Sequence, residues 1–224
     1  GNVLTDEEIA HLDQIAREQH IPLIIDGAYG LPFPNILFTA ARPHWNDNTI
    51  LALSLSKLGL PGVRTGIIVA REEIIRAYTN ANTIVNLACG TLGPALARAL
   101  FDTGEITSLT RDYVTPFYRE RSQQTLDLFR RHLGALPYHI HRPEGAIFLW
   151  LWLEDMPITS QALYQRLKQR GVLVVPGHNF FVGIEDDWRH QHECIRVSYA
   201  RDLDTVERGV KIIAEEVERA YGEG

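Results

Sequence analysis

The stretch Ser54-Leu55-Ser56-Lys57-Leu58-Gly59-Leu60-Pro61-Gly62-Val63-Arg64-Thr65-Gly66 gathers a lysine, two serine hydroxyls, an arginine and a glycine-rich backbone. The lysine follows an apolar run, 49–55, that reads as a buried strand. An ammonium taken out of water is costly unless it is paired or covalently used, and burial is one way a lysine amine becomes a Schiff-base nucleophile. The two hydroxyls, the glycine-rich backbone and Arg64 together can bind a phosphate, the arginine supplying a planar fork and a fixed charge. An amine beside a phosphate cradle indicates pyridoxal phosphate. Asp26-Gly27-Ala28-Tyr29, at the end of the preceding apolar run 21–25, fits the same cofactor. A carboxylate there can partner the pyridinium nitrogen, so that the ring acts as an electron sink. The Tyr29 phenol can hydrogen-bond the ring hydroxyl.

These side chains need elements to hold them. Thr5 followed by Asp6-Glu7-Glu8 is a cap with an acidic first turn, and Ile9, Leu12, Ile15 and Ala16 recur at helical spacing as far as His20. Short apolar runs at 21–25, 49–55 and 65–70 then read as strands, the first two interior strands of a parallel sheet that need cover on both faces. Helix, strand, connection, strand is the α/β pattern, in which ligands gather at the C-terminal ends of strands. Helices are expected at 72–80 and 92–101, followed by a long helical segment at 108–133 interrupted by Pro116. From Leu136-Pro137 the character changes. Strands at 138–141, 146–153, 172–175 and 195–199 alternate with helices at 159–170 and 203–221, a second and smaller α+β domain.

The ordered motifs Asp26-x-x-Tyr29, Ser54-x-Ser56-Lys57 and Gly62-x-Arg64-x-Gly66 resemble the successive signatures of the fold-type-I pyridoxal-phosphate aminotransferases, and the resemblance runs over essentially the whole chain. It implies that Lys57 carries the cofactor and moves a proton at the substrate Cα. Asp26 then faces the pyridine nitrogen, Tyr29 the ring oxygen, and Ser54, Ser56 and Arg64 the phosphate. Arg196, in Ile195-Arg196-Val197-Ser198-Tyr199-Ala200, matches the arginine that holds the substrate α-carboxylate. The implied reaction is transamination between an aliphatic amino acid and a 2-oxo acid, with L-valine and pyruvate giving 3-methyl-2-oxobutanoate and L-alanine. The implied layout is the C-terminal part of a large cofactor-binding domain with a mainly parallel sheet (1–107), a connecting helical segment (108–135) and a small C-terminal α+β domain (136–224). A cytoplasmic homodimer is the implied assembly. Lys57 to Arg64 is one residue shorter than the commonest spacing in that family. The chain opens at Gly1-Asn2, where a turn in the family's first half would be ending, so roughly an N-terminal half is expected to lie outside this sequence.

Each residue also has a plainer reading. Alone, Lys57 is a surface residue after a strand, Asp26 a cap or turn residue, and Arg196 a strand residue paired with a carboxylate. Their order along the chain is what lifts them above this. His139-x-His141 and His190-Gln191-His192-Glu193-Cys194 invite a metal, but no third and fourth ligands stand at familiar spacing, and no metal is expected. Trp150 and Trp152 share one strand face and read as packing or pocket walls. Gly177-His178-Asn179-Phe180-Phe181 reads equally as a loop over the site or as a surface turn.

The 224 residues, 45% hydrophobic and 22% charged, are ordinary for a globular protein and exclude a disordered or collagen-like chain. No apolar run approaches the roughly eighteen residues of a membrane span. A net charge of −6 without a basic run argues against nucleic acid as partner. Cys89 and Cys194 sit in contexts too unlike to suggest a disulfide framework, which favours a reducing compartment. Two alternatives stay open: another fold-type-I enzyme, such as a different transaminase or a C–S β-lyase, and a non-catalytic effector domain of a transcription regulator.

Overall fold

The computed structural model describes residues 2–223. They divide into two compact units, Val3–Phe117 and the chain from Tyr118 onward.

The first unit begins with helix α1, Asp6–Glu18, whose N-terminus is closed by a capping box: Thr5 Oγ1 accepts from the Glu8 amide, and the Glu8 carboxylate accepts from the Thr5 amide. Strands β1 (Leu23–Asp26) and β2 (Thr49–Ser54) pair in parallel, Asp26 opposite Ala52, and β3 (Gly66–Val69) pairs antiparallel to β2, giving the order β1-β2-β3. The connection from β2 to β3 holds a single 3-10 turn, Pro61–Val63, and no crossover helix, so the chain can return only antiparallel. Helices α2 (Glu72–Asn86), α3 (Leu92–Asp102) and the short α4 (Glu105–Leu109) follow. A π-helical turn, Thr110–Val114, then leads into α5, Thr115–Leu133. Helical residues therefore run unbroken from Glu105 to Leu133, and the interruption expected at Pro116 takes the form of this π turn directly before it. Pro116 has no N–H to donate to the turn before it, and the wider π turn accommodates its ring there. The small core of this unit is Phe33, Leu53, Leu55, Ala97 and Ile106, with Leu51, Leu58, Leu60, Val63, Ile67 and Leu100 packed against it.

Of the two strands expected to be interior, β2 has a neighbour on both sides and β1 on one among the described residues. Thr49, Leu53 and the following Leu55 are buried, whereas β1 is an edge of this sheet and its Ile24 is 65% exposed. Helix α2 buries none of its residues, and Ile84 and Leu87 near its end are 85% and 84% exposed.

The second unit adds strands β4 (Tyr138–Ile140) and β5 (Phe148–Leu153), helix α6 (Ser160–Gln169), strand β6 (Val175–Pro176), the one-turn helix α7 (His190–Glu193), strand β7 (Cys194–Ser198) and helix α8 (Leu203–Glu223). Its sheet runs β4-β5-β7-β6, every pair antiparallel. Alternation on β5 sends Leu149, Leu151 and Leu153 into a core shared with Phe129 of α5, Leu163 and Leu167 of α6 and Val210, Ile213 and Val217 of α8. Phe148, Trp150 and Trp152 take the other face. The strand expected at 172–175 is reduced to Val175–Pro176. The Val172 amide is already used, donating to the Leu167 carbonyl at 3.0 Å, and Gly171 has φ +76°, the wrap that closes the end of α6.

Among the described residues no helix is long and apolar enough to cross a membrane. Nor do any three or more of their His, Cys, Asp and Glu side chains form a group that could hold a metal ion.

Candidate active site

Asp26 ends β1 level with Ala52 in β2, and the chain turns at once: the Gly27 amide donates to the Ala52 carbonyl at 2.7 Å, and Asp26 Oδ1 accepts from the Ala28 amide at 3.0 Å. A Cβ on Gly27 would stand 2.8 Å from Leu53 Cδ2 and 3.0 Å from the Ala52 carbonyl oxygen, so only glycine lets the loop run this close to β2. The Asp26 carboxylate is left exposed at the sheet end. Beyond it the loop is pinned by two fully buried side chains, Phe33 and Ile36. The Ile36 amide donates to the Tyr29 carbonyl at 2.9 Å, and Phe33 meets Phe101 edge-on at 5.4 Å. Tyr29 is half-buried.

Lys57 lies in the turn after β2. Leu55, fully buried, anchors that turn by accepting from the amides of Leu58 and Leu60 at 3.1 and 3.2 Å. The ammonium Nζ sits 5.5 Å from the centroid of the Tyr29 ring, within cation–π range, which brings together two of the residues picked from sequence. Lys57 is half-buried rather than desolvated at a strand end, because β2 stops at Ser54 and three further residues carry the lysine out into a turn. It has no carboxylate partner among the described residues. Ser54 Oγ accepts from the Ser56 amide at 3.2 Å, shaping the same turn. The loop closes where the Leu55 amide donates to the Thr65 carbonyl at 3.2 Å.

Arg64, just before that closure, is exposed and in the left-handed region with φ 48° and ψ 48°, a conformation that costs a non-glycine residue on the order of 1–3 kcal/mol and concentrates at ligand sites. Its guanidinium makes one long hydrogen bond, to the Pro61 carbonyl at 3.3 Å, and no ion pair among the described residues. Two cations without acidic partners, two serine hydroxyls and an exposed carboxylate thus stand on the loops that leave two adjacent parallel strands. This charge pattern fits a group that presents a phosphate and a protonated ring nitrogen.

Arg196 belongs to the second unit. It lies in β7 with Trp150 of β5 as one cross-strand neighbour and Val175 of β6 as the other. Its guanidinium carbon is 4.1 Å from the centroid of the Phe148 ring and 4.8 Å from that of Phe180. Nε is buried without a hydrogen-bond partner, and no carboxylate pairs with the side chain among the described residues. The plain reading, a strand arginine paired with an acid, is therefore not what the fold contains. Trp152 does have an acidic partner, since its indole donates to Glu193 Oε2 at 2.8 Å, and Glu193 also meets Arg189.

Sequence reasoning offered Phe180 within a loop over the site but did not set it beside Arg196, and it missed Phe148 there and the buried Phe33 and Ile36 in the loop after Tyr29. Alternation in Phe148-Leu149-Trp150 places Phe148 on the face of Trp150. That signal was present, but the register that sets Arg196 opposite Trp150 is not readable locally.

Burial pushes the Cys194 thiol up to about 12, with the Glu193 charge adding to the effect and a contact from Trp150 opposing it. Cys89 is exposed and free. An alkylating reagent at pH 8 is expected to label Cys89 and leave Cys194 unmodified until the chain is denatured, because the thiolate is the reacting species. Peptide mass spectrometry reads both sites, and equal labelling of the two in the native protein would contradict this geometry.

The chain belongs to the aminotransferase class I and II family, whose model matches residues 1–213. It is 54% identical over 223 residues to the valine–pyruvate aminotransferase of Escherichia coli K12, covering 100% of this chain and 54% of that protein. The crystal structure of valine–pyruvate aminotransferase from Salmonella typhimurium LT2 superposes with a TM-score of 0.95 at 53% identity, covering 100% of this chain and 57% of that one. The α-aminoadipate aminotransferase LysN of Thermus thermophilus, solved with N-(5'-phosphopyridoxyl)-L-leucine, shares the fold at TM-score 0.86 and 24% identity, over 100% of this chain and 57% of its own. The chain spans about half the length of the relatives it matches. The α/β architecture is that of the fold-type-I aminotransferases.

Proposed function

We propose that the protein carrying this chain is a pyridoxal-phosphate aminotransferase that exchanges the amino group of L-valine with pyruvate. The observation that carries the reading is the pair of cations without acidic partners, Lys57 against the Tyr29 ring and Arg64 in a left-handed turn, on the loops next to the exposed Asp26 carboxylate. Identity of 54% to a valine–pyruvate aminotransferase supports the choice of substrates.

Pyridoxal phosphate, when bound, supplies an electron sink that makes the Cα–H bond of an amino acid breakable. The Lys57 amine would hold the cofactor covalently and, once released, take the proton from the substrate Cα. Asp26 would keep the ring nitrogen protonated, Tyr29 would donate to the ring oxygen, and Ser54, Ser56 and Arg64 would bind the phosphate. Arg196 would grip the α-carboxylate in two parallel hydrogen bonds and so fix the direction of the Cα–H bond. On this reading residues 1–107 are part of a large cofactor-binding domain, 108–135 a connecting helical segment and 136–224 a small domain. The assembly is a cytoplasmic homodimer acting on amino acids and 2-oxo acids, with no nucleic-acid or membrane partner.

The test is a product assay. Incubated with L-valine and pyruvate, the purified protein is expected to form 3-methyl-2-oxobutanoate and L-alanine in equal amounts, with the parallel lines of ping-pong kinetics. Release of a thiol and ammonia from a cysteine conjugate, without alanine formation, would replace this reading by a C–S lyase.

A further inference from the structure

We propose that Phe148 and Phe180 are positioning residues that clamp the Arg196 guanidinium between their ring faces, so that it can accept only a carboxylate lying in its own plane. The inference rests on the role given to Arg196 in the proposed function and goes beyond it by naming what orients that arginine. The two rings approach the guanidinium carbon at 4.1 and 4.8 Å, both within cation–π range. A ring face attracts the cation but accepts none of its in-plane N–H bonds. With no carboxylate on the side chain and Nε buried without a partner, the edge of the fork is the one outlet for its donors.

The clamp is built into the backbone. Phe148 and Arg196 lie on adjacent antiparallel strands, Phe148 opposite Ser198 and Arg196 opposite Trp150, so that both point to the sheet face away from the Leu149, Leu151 and Leu153 core. Phe180 arrives from the turn Gly177–Phe180 that follows β6. That turn is pressed onto the start of β7: a Cβ on Gly177 would stand 2.6 Å from Cys194 Cβ and 2.7 Å from the Cys194 carbonyl oxygen. Asn179 Nδ2 donates to the Pro176 carbonyl at 3.1 Å, and the Trp150 ring meets Phe180 edge-on at 5.2 Å. Phe180, 43% exposed, is thus held by its turn and by the Trp150 ring edge while its own ring lies over the arginine. A lysine at 196 has no plane for such a clamp to orient.

A double-mutant cycle in the cofactor-loaded, complete protein tests this. Phe180→Leu is expected to raise KM for L-valine, L-alanine and pyruvate by the same factor, about tenfold, because the three share only the carboxylate group. The calorimetric Kd of 3-methylbutanoate, which has the carboxylate but no amino group, should rise by a similar factor, with kcat changed less than about twofold. Phe180→Tyr should restore the original values. Arg196→Lys alone should lower kcat/KM about a hundredfold or more, and adding Phe180→Leu to it should cost nothing further. An unchanged KM in Phe180→Leu, a rise for L-valine but not L-alanine, or an equal rise in the Arg196→Lys background would each overturn the clamp while leaving Arg196 as the carboxylate residue. Wild-type kinetics in Arg196→Lys would overturn the role of Arg196 and the clamp with it.

Discussion

Lys57→Ala is expected to lower transamination by about 10⁴-fold or more, the scale on which enzymes lose turnover when a nucleophile that also handles the proton is removed. The visible absorbance of cofactor bound through the lysine should vanish with it. The fold should stay. Lys57 is half-buried, its ammonium lies 5.5 Å from the centroid of the Tyr29 ring, and among the described residues it pairs with no carboxylate that truncation would leave unmatched. Its loss should therefore cost no more than about 1 kcal/mol, a shift of a few degrees in thermal midpoint. Activity and stability thus separate, and that separation tells a site residue from a structural one. A variant as yellow and as active as the parent would remove Lys57 from the site. If the unsubstituted protein binds amino acids without turning them over, the effector-domain alternative gains instead.

The elements were legible where one physical cause dominated. The capping box at Thr5 and Glu8 marks the start of α1 within a residue, and the alternation of 148–153 predicts which side chains of β5 enter the core. Strand β6 was overestimated because Val172 and Leu173 look like strand residues, whereas the helix-ending hydrogen bond from Val172 to Leu167 claims the backbone first. In the candidate site the order of chemical types along the chain singled out Lys57, Asp26, Tyr29 and Arg64. Arg196 emerged only from its resemblance to a known pattern, since one arginine in a strand has no local signature. The pieces that hold these residues still are long-range: the close approach of Gly27 to Leu53 and the register of Arg196 against Trp150. Nothing within a short window of sequence encodes such pairings.

The 224 residues produced by themselves are expected to show no measurable valine–pyruvate exchange and to self-associate, although they contain Lys57, Asp26 and Arg196. The reason lies in the first unit. Strands β1 and β3 are both sheet edges among the described residues, and an edge with free backbone donors and acceptors is a template for pairing with another chain. Ile24 on β1 and Val69 on β3 are exposed, and so are Ile84, Val85, Leu87 and Leu92 along α2 and the start of α3. Apolar surface on this scale marks a region that other protein covers. The second unit has a continuous core from Leu126 to Ala220 and should stay folded, so the isolated chain should keep a cooperative unfolding transition while binding a hydrophobic dye strongly. The decisive comparison substitutes this chain for the segment it matches in the Escherichia coli relative, which it replaces over about half of that protein's length. The chimera is expected to be yellow, to sediment as a dimer and to form L-alanine from L-valine and pyruvate, with the isolated chain at background in the same assay. If the isolated chain is monodisperse, binds little dye and turns over at the chimera's rate, its exposed apolar strands and helices need no cover, and the expectation that the site depends on residues outside this sequence is wrong.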